Sequence, residues 1–353
     1  MDPRVGVAGV GWAGFRPTTP GISYKELMFE AARRAYSDAG LDPRTDIDSF
    51  VAASEDVQEG TSIFDEYVPD QLGAVQRPVH TVAGDGLHAL ATAAMLIGSG
   101  VARTVAVEAH SKASDVLTQG RIDRFAMDPV LNRPLDVPAA ALAGLEMRRY
   151  LHESGRREEE CVEVARRNRE HAMANERASY ADVVDPSPIF EPLTQEQSAQ
   201  STDGCVVVVL AASNGSRSPD RGIWLDGVAW ASDSPTIESR EWARARYAEI
   251  AAEQAYRRAG IAPSDVDLVE VDDTFAYKQL MHLDALGLAA LPSDRINCSG
   301  GALGEGYLHE ATGLARLLGC VERLRAEDGR VAVAQSWRGP PSTSGAVAVI
   351  VRG

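Results

Sequence analysis

Apolar and polar positions along the chain fall into a few separable rhythms. From Tyr24 the run YKELMFEAARRAYSDAG sets small and apolar residues at helical spacing among charges, which predicts an amphipathic helix closed by Gly40. A turn, LDPRTDID, and a strand, SFVAAS, follow. The same grammar returns from Glu249, with EIAAEQAYRRAG closed by Gly260, then IAPSDVD, then LVEVDDTF as a strand. Pro43 and Pro263 follow the two closing glycines at the same distance. An internal duplication is the economical explanation.

Two further stretches keep that register. GDGLHALATAAMLIGSG precedes the strand TVAVEA, and GGALGEGYLHEATGLARLLGCVERL precedes RVAVAQS. Helices so apolar all round are buried, and glycines at their openings let a ligand or another backbone reach the free N–H groups of the first turn. Each half then reads as a β-α-β-α-β layer whose central helix turns its positive end to a shared pocket, with the helix starts near Gly84 and Gly301 facing each other. Between the halves, from Ser114 to Ser201, lie the helices AALAGLEMRRYLHESG and REEECVEVARRNREHAMANE with Pro129, Pro134, Pro138, Pro186 and Pro188 in their connections. This reads as a helical insertion over the pocket mouth, in an N-terminal half of residues 1–220 and ahead of a C-terminal half of residues 221–353.

Composition narrows the function. At 353 residues the chain is long enough for two domains or one doubled domain. Its net charge of −16 repels phosphate backbones and anionic lipid, so no nucleic acid and no membrane is expected as partner. No stretch reaches the apolar length of a spanning helix, and MDPRVGVAGVGW lacks a signal-peptide layout, which points to the cytoplasm. Cys161, Cys205, Cys298 and Cys320 form no CxxC pair, so neither disulfides nor a metal site is expected.

The opening VGVAGVGW, the AGLDPRTDID turn, the glycine-opened helix, STDGCVVVVLA, VEVDDTFAYKQL, NCSGGALGEGYLHEATG and the closing QSWRGPPSTSGAVAVIV, in this order, resemble the thiolase superfamily. The sterol-carrier-protein-type thiolases and their bacterial and archaeal relatives are the nearest in pattern. The resemblance covers nearly the whole chain and implies a duplicated, five-layered αβαβα fold, a homodimer, and a coenzyme A thioester as substrate with no bound cofactor.

The chemistry departs from that pattern. A thiolase nucleophile would fall in VHTVAGDGLHAL, at Ala83 or Gly84 with Asp85 and Gly86 following, and the nearest cysteine in the chain is Cys161. The histidine of the thiolase GHP motif matches Tyr307, with His309 two residues on. The second-cysteine loop matches Ser336, Trp337 and Gly339, and the NEAF element matches Asp272-Asp273-Thr274-Phe275. The segment from Gly304 to His309 is similar to that of the thiolase-fold retro-aldolases of steroid side-chain breakdown. By that resemblance Tyr307, His309 and Asp273 are the candidate acid and base groups for cleaving a β-hydroxyacyl-CoA. It also implies a small OB-fold or zinc-ribbon partner protein, or a second thiolase-like subunit.

Plainer readings stand beside these. Tyr307 could be a buried tyrosine with a backbone partner, Asp85 a helix cap, and Asp273 the close of a strand end. Gly300, Gly301, Cys298 and Ser336 are pocket candidates, while His110 and Lys112 sit at a strand end where α/β layers bind ligands. His80 and His88 read as core or dimer-contact residues. Three functions remain open: cysteine-independent C–C cleavage, acyl transfer through Cys298, a serine such as Ser336 or direct transfer, and a non-catalytic thiolase-fold subunit of a larger complex.

Overall fold

The computed structural model describes residues 3–55, 68–116, 119–125, 127–214, 222–234, 236–339 and 343–353. Strands Val5–Arg16 (β1), Ser49–Ala53 (β2), Val79–Val82 (β3), Thr104–Ser111 (β4) and Asp203–Ala212 (β5) belong to the first half. Ile223–Ser232 (β6), Leu268–Glu270 (β7), Val331–Arg338 (β8) and Ser344–Arg352 (β9) belong to the second. All nine lie in one sheet, in the order β3-β2-β4-β5-β1-β6-β9-β8-β7. Outward from the centre the first half runs β1-β5-β4-β2-β3 and the second runs β6-β9-β8-β7, which is the same path. The missing fifth strand survives as a single parallel bridge from Ile296 to Val269. Within the sheet the halves are paired antiparallel at Val5 with Leu225 and Gly6 with Trp224.

Helices complete five layers. Tyr24–Ala39 (α1) covers the outer face of the first half and Arg246–Ala259 (α5) that of the second. Both approach their strand at a glycine: a Cβ on Gly9 would lie 2.4 Å from the Ala35 carbonyl oxygen, and one on Gly227 2.2 Å from that of Ala255. Gly40 and Gly260 close these helices in the left-handed region at φ 65° and 69°. Between the two halves of this sheet lie Gly86–Gly98 (α2) and Thr312–Arg325 (α8), whose Leu87, Leu90, Ile97, Leu314, Leu317 and Leu318 share one core with Val105, Val206, Ala334 and Ile350. Each such side chain contributes about 1.5–3 kcal/mol by burial, so this seam fixes the distance between the two halves.

The insertion carries Ala139–Ser154 (α3) and Glu158–Ala172 (α4), packed against Ala276–Leu286 (α6). Tyr277 donates to Glu146 Oε2 at 2.6 Å and Tyr150 donates to Asp284 Oδ2 at 2.6 Å, tying α3 to α6. Two sequence expectations change here. LVEVDDTF is a strand only as far as Glu270, because Asp272 and Asp273 leave the sheet for other partners. The long second-half helix is broken into Gly301–Glu305 (α7), an extended Gly306-Tyr307, a 3₁₀ turn at His309–Ala311 and then α8. Gly306, at φ 105°, makes the break, and a Cβ there would fall 1.7 Å from Thr202 Oγ1.

Candidate active site

The break in the second half puts α8, rather than α7, opposite α2. Asp85 caps α2 by accepting from the Leu87 N–H at 2.8 Å, and its other oxygen accepts from the Gly313 N–H at 2.8 Å in the first turn of α8. One fully buried carboxylate therefore holds both positive helix ends together. Burial raises its pKa, against the lowering effects of His88, these N–H groups and the Ser336 hydroxyl beside it. Of the two positions that match the thiolase cysteine, Ala83 is exposed on the turn from β3 and Gly84 follows it at φ 149°. The α7 start at Gly301 is closed instead by Asp273, whose carboxylate would meet a Gly301 Cβ at 2.1 Å.

Tyr307 lies in the extended break, where a parallel bridge to Ser201 fixes its backbone: its N–H donates to the Gln200 carbonyl and its own carbonyl accepts from Thr202. Its ring packs on His309 with centroids 4.4 Å apart, and Arg338 Nη1 reaches its hydroxyl at 3.5 Å. Arg338 is held in turn by Glu55 at 2.9 Å and Glu310 at 3.1 Å. Burial lifts the phenol well above its ordinary pKa, Arg338 opposes that rise, and Asp272 adds to it. The phenol therefore stays protonated at neutral pH and can serve as a proton donor. His309 takes a left-handed φ of 48° and pairs its Nε2 with Ser201 Oγ at 3.2 Å. Burial and then Arg338 push its pKa down to about 3, so it is a neutral imidazole and a weak base.

The two adjacent aspartates divide their work. Asp273 accepts from Ala302 N–H at 2.5 Å, Leu303 N–H at 3.2 Å and Asn168 Nδ2 at 2.6 Å, so it closes α7 and anchors α4. No hydrogen bond links it to Tyr307 among these contacts. Asp272 Oδ1 accepts from the Thr274 N–H at 2.9 Å, while Oδ2 is buried with no donor at hydrogen-bond distance, although the nearby Thr274 hydroxyl as well as its N–H favours the charged carboxylate. Burial raises the pKa of Asp272 to about 7, with Asp273 and Asp85 adding repulsion. Sequence reasoning passed over Asp272 in favour of its neighbour. Alternation in an extended segment, which sends consecutive side chains opposite ways, was the available signal. His88 is also brought to this group: its Nδ1 is buried without a partner, and both Asp85 and Arg338 act on its pKa, which burial lowers.

Several candidates lie elsewhere. His110 pairs with Glu108 Oε1 at 2.9 Å and stacks on Tyr24, in the layer of α1 and away from α2, because β4 alternates its faces. Lys112 bonds Asp203 Oδ2 at 2.7 Å, Ser114 Oγ at 2.7 Å and the Thr19 carbonyl at 3.3 Å, so it is a strut joining three segments. Cys298 donates to the Asp294 carbonyl at 3.2 Å, and burial pushes its thiol up to about 12 with Glu270 assisting. Gly300 packs against Ala172 of α4, where a Cβ would clash at 2.5 Å. His80 is exposed on β3. Among the described residues no group of three or more potential metal ligands occurs, and no helix is long and apolar enough to cross a membrane.

A family model described as thiolase C-terminal domain-like matches residues 229–293. The chain is 28% identical over 350 residues to a steroid side-chain-cleaving aldolase of Thermomonospora curvata, covering 88% of each. It is 25% identical over 339 residues to an acetyl-CoA acetyltransferase of Methanothermobacter thermautotrophicus, again 88% of each. Among solved structures it is similar to the Ltp2-ChsH2(DUF35) aldolase, with a TM-score of 0.79 and 25% identity across 98% of this chain and 97% of that one.

Proposed function

Because the chain belongs to the thiolase superfamily, we propose that it acts on acyl-CoA thioesters by cleaving a C–C bond of the retro-aldol type, with Tyr307 as the proton donor. The observation that carries this reading is the state of the α2 end. A thiolase reaction needs a thiolate there, and this chain has Ala83 on the turn and the Asp85 carboxylate on the first-turn N–H groups. Retro-aldol cleavage needs no nucleophile. It needs a base for the β-hydroxyl, a site for the thioester enolate, and an acid to return a proton to the α-carbon. Tyr307, protonated and aligned by Arg338, fits the last role.

The steroid side-chain-cleaving aldolase supports the same reaction class. Acyl transfer, which the acetyl-CoA acetyltransferase brings into view, would run through Cys298, through a serine such as Ser336, or by direct transfer. A thiol raised to about 12 and lying beside Asp294 is poorly suited to that. In this reading residues 1–220 and 221–353 are the two halves of one catalytic unit, and the unit forms a homodimer. The similar solved aldolase is named for two components, one marked DUF35, so a small OB-fold or zinc-ribbon protein is the partner to seek. The test is to incubate the purified protein, alone and with any co-purifying small protein, with β-hydroxyacyl-CoA and β-ketoacyl-CoA thioesters. Release of a carbonyl fragment with a shortened acyl-CoA from the hydroxy substrate is the expected result. Cleavage of the keto substrate alone, or of neither, would overturn it.

A further inference from the structure

Retro-aldol cleavage leaves one role unfilled in the site as described, the base that takes the β-hydroxyl proton. His309 has its Nε2 on Ser201 and is buried as a neutral ring, and both Asp273 oxygens accept bonds that close α7. Asp85 has one oxygen on each of two helix N-termini. The carboxylate in this cluster with an oxygen left over is Asp272.

We propose that Asp272 is the catalytic base, its unpartnered Oδ2 accepting the proton of a substrate β-hydroxyl beside Tyr307. The inference rests on the retro-aldol reading and deepens it. Geometry supports it from two directions. Asp272 is fully buried, yet Oδ2 has no donor at hydrogen-bond distance, a condition that calls for an explanation such as a catalytic role or a bound water. Its backbone is held on both sides, the N–H donating to Gln335 Oε1 at 3.0 Å and the carbonyl bonded to His282 Nδ1 at 2.8 Å, while Oδ1 is fixed by Thr274. The side chain is therefore aimed rather than free, as a base must be.

The charged and titratable groups around it favour a proton affinity near neutrality. Asp273 and Asp85 raise the pKa by repulsion and burial raises it most. From α6 come Lys278 and the neutral His282, from α5 Tyr247, and from α8 Arg316, with Tyr307 facing from the extended break. Lys278 is itself neutralised by Glu146 at 2.6 Å and Arg316 by Glu305 and Glu270, so neither cation is committed to Asp272.

The steps balance. Asp272 takes the hydroxyl proton, the oxygen lone pair becomes the new C=O, and the Cα–Cβ pair moves into the thioester enolate. Tyr307 then gives its phenolic proton to the α-carbon. Transfer of the proton from the Asp272 carboxyl to the phenolate restores both groups, and no oxidant or further reactant is required.

The test measures kcat/KM against pH for the full chain, with any co-purified partner retained, on a β-hydroxyacyl-CoA that the parent protein cleaves. Parent protein, Asp272→Asn and Asp272→Glu are compared, each checked for a single cooperative thermal transition no lower than the parent's. The expected result is an ascending limb near pH 7 in the parent, a loss of about 10² or more in Asp272→Asn with that limb gone, and partial recovery in Asp272→Glu. If the parent cleaves and Asp272→Asn retains its rate within about threefold, or falls while keeping the same limb, the base assignment is wrong and the retro-aldol reading stands. If the parent cleaves no such thioester, the reading and the assignment fall together. If Asp272→Asn does not fold, Asp272→Glu decides: an unshifted limb at full rate overturns the assignment.

Discussion

Asp85 and Gly313, from opposite halves of the chain, are joined by a 2.8 Å hydrogen bond from the Gly313 N–H to Asp85 Oδ2. With the bond from Leu87 to Oδ1, one side chain closes the two central helices at once. Asp85→Ala removes both acceptors and leaves two N–H groups buried, which should cost about 2–4 kcal/mol of stability from the sum of a lost cap and a lost charge-assisted bond. Urea unfolding measures this, and a loss below about 1 kcal/mol would mean that water replaces the carboxylate. Gly313→Ala should be comparably harmful, because its Cβ would meet Asp85 Oδ1 at 1.9 Å.

No covalent acyl-enzyme should form. With its thiol pushed up to about 12, Cys298 is thiolate in only roughly one molecule in 10⁵ at neutral pH, and Cys161, Cys205 and Cys320 are buried. Intact-mass measurement after incubation with acyl-CoA should show the unmodified chain. An adduct mapped to Cys298 or Ser336 would favour acyl transfer instead.

Most of the scaffold was legible because it is written in local signals that repeat. The helix of Tyr24–Ala39 and its closing Gly40 return as Arg246–Ala259 and Gly260, and small-residue contacts at Gly9 and Gly227 repeat the packing as well. The site was less legible, since its members are chosen by tertiary contacts. Nothing in DDTF tells which carboxylate α7 will claim, and that choice separates Asp273 from Asp272. Likewise His110 fits a strand-end ligand site by sequence, but strand parity turns it to the α1 layer. The break at Gly306 was hidden because the flanking runs both have helical spacing, and the clash that forbids any side chain there comes from Thr202, distant in sequence.

Tyr307→Phe should separate chemistry from folding. Among the described residues the phenol oxygen has only the long 3.5 Å contact to Arg338, so its loss should change stability by less than about 1 kcal/mol. Turnover of a β-hydroxyacyl-CoA should fall by about 10² or more if the enolate is protonated by this group. Steady-state kinetics with a parallel thermal melt check both parts. Full activity in Tyr307→Phe would remove the proton-donor role.

The raised pKa of Asp272 also predicts how stability varies with pH. In the unfolded chain this carboxyl titrates near 3.9; in the folded protein burial holds it at about 7. The folded state therefore binds the proton more tightly, so the contribution of Asp272 to stability is fully present below the unfolded value and is lost as pH rises through the folded one. Asp272→Asn is neutral throughout and also relieves the repulsion from Asp85 and Asp273. Relative to the parent, the variant should gain stability progressively between about pH 4 and pH 7, by roughly 2–4 kcal/mol in total, and then run parallel to it. Other titrating groups cancel in the difference unless they touch Asp272. Urea melts of both proteins from pH 5 to pH 8 measure it: an offset that stays constant across this range would mean that the carboxyl is already ionised there, as it would be if a cation held it charged.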